Sequence, residues 1–385
     1  MNTTFILGAG FSIPANFPCG KTLNEKFFKN IENRLLRHSS SEWAWDDYDE
    51  ATSNNGRINY DYLRISFLLS ELVEQYQKET SLIFDYEEFY DWFLSKWGNY
   101  ELMEICCNSV NERLIMEFKI DSNSPYCFNN VLSNQFLTIN ECYNYLIADL
   151  IGRPYAQEEK KNEYTNFIKL VKTSEQVNIF SLNHDLLLEY LFKENSINFS
   201  DGFNIENSCI VGEKNENLPM FDNSYKENTK LYKLHGSIDY FKFEELILKE
   251  LINYRTGQYW FFKPLGYHNK HYAKRIRPST GELVQDFNNN TVPQFLTGKN
   301  KFAIINQHLV FKPIYENFIK SFSQVQRIVI IGYSYRDVHI NKIIKEGIDN
   351  GNLEIININP IVKFPFRKNY SSKFVKELES IYDLY

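Results

Sequence analysis

The sequence predicts an α/β fold, a parallel sheet with helices on both faces plus a large helical insertion, and three observations carry that prediction. Short apolar strands recur near both ends of the chain, at 3–7, 177–182, 231–234, 327–332 and 353–358. Stretches of helical periodicity alternate with the later ones, the pattern of a sheet buried on both faces. Each strand also runs into a polar turn, and open parallel sheets bind ligands beyond the carboxyl ends of their strands.

The first strand, Thr3-Thr4-Phe5-Ile6-Leu7, feeds the turn Gly8-Ala9-Gly10-Phe11-Ser12. Glycine has no Cβ, so such a turn can bring bare backbone N–H groups against a pyrophosphate. The dinucleotide fingerprint is incomplete, because Ile13 stands at its third glycine and Pro14 and Pro18 delay the next helix. Helical spacing then runs over 21–37, through Leu23, Phe27, Phe28, Ile31 and Leu35. A polar, turn-rich stretch at 39–57 follows, and further helices are expected near 60–78, 86–96, 99–118, 139–151 and 159–173. The acidic, aromatic segment at 84–90 reads as a capped amphipathic helix. Residues 21–173 thus form a helical insertion without a strand pair, set into a core of 1–20 and 174–385.

After the strand at 177–182 the pattern predicts a helix at 184–194 and several short strand-like pieces over 197–234. An irregular, aromatic-rich stretch covers 250–300, and helices follow at 306–323, 337–349 and 371–382. The chain of 385 residues, 43% of them hydrophobic, has material for one large domain or two.

A net charge of −7 argues against broad nucleic-acid binding, which wants a basic surface. The local basic stretch of Lys263, His268, Lys270, His271, Lys274, Arg275 and Arg277 reads as a solvated loop. Six cysteines without a CxxC pair argue against a structural zinc and fit a reducing cytosol. No run approaches the ~20 apolar residues that span a bilayer, and the N-terminus has no cationic leader. A cytoplasmic protein with no membrane partner is expected.

The chemistry concentrates in the five turns: Gly8–Ser12, Ser181-Leu182-Asn183-His184-Asp185, Lys233-Leu234-His235-Gly236-Ser237, Gly332-Tyr333-Ser334-Tyr335-Arg336-Asp337 and Asn357-Ile358-Asn359-Pro360. His235 stands out, since a His-Gly-Ser turn after a buried strand has no evident packing role. Its unperturbed pKa of ~6.5 suits a general base. The others stay open to two readings. Asp185 is a helix cap or a ligand-binding group; Ser334 and Asp337 are turn and cap residues or site residues; Asn359 stops a strand before Pro360 or binds ligand. His184 reads as structural or exposed.

In this order and strand context the chain resembles the sirtuin-like family: GAGFS, an Asn-x-Asp after a strand, LHGS, GxSxxD, and a strand ending in Asn. The resemblance covers roughly 1–20 and 175–365 and implies a Rossmann-like core that binds NAD as substrate. It implies pyrophosphate contacts from the backbone of Ala9, Gly10 and Phe11 in the turn opened by Gly8, with a hydroxyl from Ser12. Gly332 and Ser334 would lie against the adenosine half, and Asn359 would bond its ribose. Asn183 would hold a water or the nicotinamide ribose, Asp185 would support the nicotinamide end, and His235 would be the base.

Sirtuin deacylases carry a zinc module with two CxxC pairs; this chain has none, and 238–325 takes its place. A peptide-binding strand is not recognisable either. The zinc-free, helically enlarged members of the family resemble the chain best. That resemblance implies NAD hydrolysis to nicotinamide and ADP-ribose in antiphage defence, control through homo-oligomerisation, and a HerA-type hexameric ATPase as partner. The alternatives are an ADP-ribosyltransferase or deacylase using the same pocket, and a non-catalytic subunit that senses NAD or ADP-ribose.

Overall fold

The computed structural model describes residues 1–31, 36–39, 42–45, 60–129, 133–152, 163–249, 252–264, 273–285, 292–296, 301, 305–349, 353–366 and 375–384. These fall into two compact units, one of Met1–Cys19, Ile151–Leu296 and Lys301–Tyr385, the other of Gly20–Leu150.

The first unit is built on a sheet of seven strands: β1 (Thr3–Leu7), β2 (Val177–Ser181), β3 (Phe199–Ser200), β4 (Thr229–Lys233), β5 (Arg327–Ile331), β6 (Glu354–Ile358) and β7 (Val375–Leu378). Their order is β7-β6-β5-β1-β2-β4-β3, and every pairing is parallel. Strand side chains alternate between faces, so each strand supplies two cores. Ile6, Phe180, Tyr232, Ile328, Ile330 and Ile355 face one side. There they meet α3 (Phe311–Ser321) through Ile314 and Phe318, and α4 (Val338–Asp349) through Ile340 and Ile344. Phe5, Leu7, Ile179, Leu231, Val329 and Ile356 face the other, against α1 (Thr165–Thr173) through Phe167 and Ile168, and α2 (Leu187–Glu194) through Leu188 and Leu191. This is the predicted α/β, Rossmann-like architecture with helices on both faces.

The register puts all the central strand ends level. Leu7 pairs with Ile331 and with Ser181, Ser181 with Lys233, and Ile331 with Ile358. The five polar turns therefore leave one edge of the sheet together.

Three expectations are corrected. The segment expected as a C-terminal helix contains β7, because the bonding edge of β6, Ile355–Ile358, offers Val375–Leu378 a partner that outweighs the helical propensity of a Lys-, Glu- and Leu-rich stretch. Its residues 371–374 lie outside the described ones. The stretch from 250 to 300, expected to be irregular, holds the strand Ile252–Phe262, paired antiparallel with Gly236–Lys249; Phe241, Phe243 and Phe262 bury on one small core. The basic stretch is no solvated loop where it is described. Lys263 is 2.5 Å from Asp201 and 3.2 Å from Asp239, and Arg275 and Arg277 both pair with Glu245. Its His268, Lys270 and His271 lie outside the described residues.

The second unit is largely helical, with Gly20–Ile31, Tyr60–Thr80, Tyr86–Ser95, Tyr100–Phe118 and most of Ser133–Gly152. The helix at Tyr86 starts where it does because the Asp85 carboxylate accepts from the amides of Glu87 and Glu88. Phe89 and Trp92 then pack on Tyr76, and Phe89 on Tyr143. A short antiparallel pair, Leu36–Ser39 with Glu42–Trp45, stands in the region predicted to hold no strand pair.

Two turns of the first unit touch backbone to backbone. Gly332 has φ +61, and a Cβ there would lie 2.4 Å from Gly10 C and from Phe11 N. Gly281 has φ +70 with open space around it. Gly332→Ala should cost roughly 3 kcal/mol or more, strain plus collision, whereas Gly281→Ala should cost about 1 kcal/mol, strain alone. Urea unfolding of both variants checks the difference; equal losses would mean that the backbone contact is not tight.

Candidate active site

The first turn is closed by its own amides. Gly8 N donates to Ile331 O, Gly10 N to Gly332 O, Phe11 N to Gly8 O and Ser12 N to Ala9 O. Phe11 turns inward, with its ring 5.1 Å from Tyr164 and 4.9 Å from Phe167, and its carbonyl accepts from the Tyr164 hydroxyl. Gly10 and Phe11, two of the amides expected to face a pyrophosphate, are thus engaged inside the protein. Ala9 is the exposed residue of the turn.

Asn183 ties the second turn to the first. Its Nδ2 donates to Gly8 O at 3.0 Å and to Ser12 Oγ at 2.9 Å. A carbonyl can only accept, which fixes the orientation of the amide. Both Ser12 and Asn183 are buried. Asp185 is buried as well, and its Oδ1 accepts from the amide of Leu187, the first residue of α2. Its backbone carbonyl accepts from Lys233 Nζ, and Lys233, fully buried, also lies 3.3 Å from Glu189 Oε2.

The fifth turn is also locally committed. Asn359 Nδ2 donates to Tyr333 O at 2.7 Å, and its Oδ1 accepts from Ile361 N and Val362 N. Both ends of the side chain that was expected to bond a ribose are thereby used. Ser334 and Arg336 are exposed on the fourth turn. Ala9, Ser334 and Arg336 are thus exposed residues of these turns.

The third turn holds His235. Gly236, at φ +82, brings the chain against the backbone of Gln294 and Phe295, and Leu296 N donates to His235 O. His235 is 7% exposed and places Nε2 3.0 Å from Asp337 Oδ2. Nε2 forms no well-aligned hydrogen bond, so this is a short polar contact between an imidazole and a carboxylate, somewhat off line. Burial, then the charge of Lys301, pushes the His235 imidazole down to about 4, against the pull of Asp337. Burial pushes the Asp337 carboxyl up, but the contact with His235 and the charges of His339 and Lys301 prevail and bring it to about 2. His184, expected to be structural or exposed, is buried, with its ring centroid 6.2 Å from that of His235. Burial and then His235 hold it well below the ordinary histidine value.

All five turns are thus linked: the first to the second by Asn183, the first to the fourth by Gly10, the third to the fourth by His235 with Asp337. Asn359 joins the fifth to the fourth. The sequence leaves Asp337 open to a cap or a site role and assigns none to Lys233 or Lys301. Lys233 could have been suspected, since it closes an otherwise apolar strand. Nothing local signals Lys301. Among the described residues, no group of three or more His, Cys, Asp or Glu could hold a metal ion, and no helix is long and apolar enough to cross a membrane.

Residues 177–358 match the family model of the SIR2-like domain. Similar solved structures include one reported under the structural basis of sirtuin substrate affinity, at 10% identity and a TM-score of 0.30, with 97% of this chain and 86% of that chain covered. Another is a mutant Sir2 homologue in complex with ADP-ribose, at 12% identity and a TM-score of 0.29, covering 96% and 85%. No curated protein matches the chain.

The buried imidazole has a consequence for stability. The native His235 binds its proton near pH 4, whereas an unfolded histidine does so near ~6.5. Between those values the unfolded state binds more protons, so stability is complete above about 6.5 and declines as pH falls towards about 4. We expect His235→Gln to remove part of that decline, on the order of a few kcal/mol in total. Urea midpoints from pH 7.5 to 4.5 test it; parallel curves for both proteins would contradict the burial of a neutral His235.

Proposed function

We propose that this chain, through its SIR2-like domain, binds NAD at the carboxyl edge of the sheet and hydrolyses the nicotinamide–ribose bond. The observation that carries the reading is the placing of a buried, neutral imidazole, His235, on the same strand edge as Asn183 and the glycine turn. The exposed Ala9 amide, Ser334 and Arg336 suit the charged pyrophosphate; Asn183, whose Nδ2 is spent on Gly8 and Ser12, keeps Oδ1 for a water or a ribose hydroxyl. Asp185 supports the floor of the nicotinamide end through Lys233 rather than by contact.

In this reading the C1′–N bond breaks with its electron pair passing to the nicotinamide nitrogen, which loses its positive charge. The oxygen of a water bonds to C1′, and the proton it sheds passes to His235 and then to solvent. The products are nicotinamide, ADP-ribose and one proton. A base that is neutral at pH 7 is ready to accept that proton, and removal of a general base typically costs about 10²–10⁴ in rate. The setting we propose is depletion of NAD in antiphage defence, in the cytoplasm, by an oligomer working with a HerA-type ATPase. The support for that setting is the resemblance in sequence.

The test is nicotinamide release from NAD by the purified chain, over a wide range of protein concentration and without an acceptor. His235→Ala and Asn183→Ala should each lower the rate at least ~100-fold while both remain folded. Saturable NAD binding by wild type with no release at any concentration would favour the sensing subunit instead. Release that survives both substitutions would place the reaction elsewhere.

A further inference from the structure

We propose that Asp337 and His339 form, with His235, a carboxylate-centred His–Asp–His unit in which Asp337 is the positioning residue that fixes the tautomer of the base. This rests on the reading of His235 as the base. Both oxygens of Asp337 are turned to imidazoles: Oδ2 lies 3.0 Å from His235 Nε2 and Oδ1 lies 3.1 Å from His339 Nε2. Among the described residues neither oxygen has an amide partner, and the carboxylate faces the two imidazoles. The helix is held by the Asp337 carbonyl instead, which accepts from Asn341 N.

The loop that presents Asp337 is pinned from several sides. Gly332 and Tyr335 both take left-handed φ, +61 and +56. The Tyr335 hydroxyl donates to Asn357 Oδ1 at 2.6 Å, Asn341 Nδ2 donates to Tyr335 O, and the Tyr333 hydroxyl contacts Asp337 O and Asn341 Oδ1. A left-handed tyrosine is sterically disfavoured, so the loop holds a shape that the chain would not choose locally. The shape it holds delivers one carboxylate to a base carried by a different strand.

Exposure rises along the unit, from 9% for the His235 side chain to 13% for Asp337 and 25% for His339. The carboxylate next to Nε2 favours the tautomer with the proton on that nitrogen, leaving Nδ1 as the basic atom. His339 then balances the other oxygen from the solvent side. The remaining charged groups whose field reaches this unit are Lys301 and, through His184, Lys233.

The experiment uses the full chain labelled with ring-¹⁵N histidine, with His235→Gln to assign the base. In wild type the His235 resonances should report the Nε2–H form and one titration. In Asp337→Asn that form should be lost and the titration should move to lower pH; in His339→Gln it should move to higher pH. Nicotinamide release measured alongside should fall about 10²–10⁴-fold in kcat for Asp337→Asn, with a smaller change in KM. Asp337→Glu should restore part of the tautomer signal and of the rate. The same tautomer and titration in wild type and in Asp337→Asn, with the thermal midpoint unchanged, would overturn the proposal. If wild type released no nicotinamide, the hydrolase reading would fall, and the ¹⁵N titration alone would still decide whether Asp337 positions His235.

Discussion

The site depends on the phase of the parallel sheet. Five strands end level because Leu7, Ser181, Lys233, Ile331 and Ile358 are in register with their neighbours. A slip of one residue in any strand would turn its core side chains to the wrong face and move its turn out of line by about 3.3 Å. Burial on both faces penalises that slip, so the hydrophobic pattern that builds the sheet also aligns the polar turns. Side-chain bridges between the turns are then short-range consequences. Asn183 reaches the glycine turn, and His235 reaches Asp337, because the backbone has already brought them to one edge.

The core strands and the turns were legible because they are local signals: an apolar run that stops at Gly, Asn or His. His235 could be singled out for the same reason. Pairings were not legible, because which turns face each other depends on strand order and not on the residues within a turn. Asp337 therefore looked like a helix cap, a role its sequence position suits equally well, until the structure turned its oxygens to two imidazoles. Asn359, which the sequence leaves open to stopping a strand or bonding a ribose, has its amide engaged with Tyr333, Ile361 and Val362. Among the elements, β7 was hidden by helix-forming Lys, Glu and Leu, whose preference yields to the unsatisfied edge of β6. The strand Ile252–Phe262 was hidden because its pairing partner, not its own pattern, organises it.

Charge is handled differently in the site and in its support. Lys233 is sealed against Glu189 and the Asp185 carbonyl, and Lys263 against two aspartates, so their desolvation is offset by fixed partners. Around His235 burial dominates: it holds two imidazoles, His235 and His184, below the ordinary histidine value, and the charge of Lys301 adds to the effect. Buried histidines gathered at one sheet edge cost stability, and proteins commonly accept that cost where chemistry is done.

The contact between Gly10 and Gly332 bears on how this fold can be recombined. Each glycine leaves the volume that the other's backbone fills, so the N-terminal strand with its turn and the segment around 327–337 form one mould and its cast. A chimaera that imports either half from a relative with a bulkier turn inherits a misfit between them. Grafts that respect the mould would take both halves together, although more than three hundred residues of chain, on the order of the whole protein, lie between them.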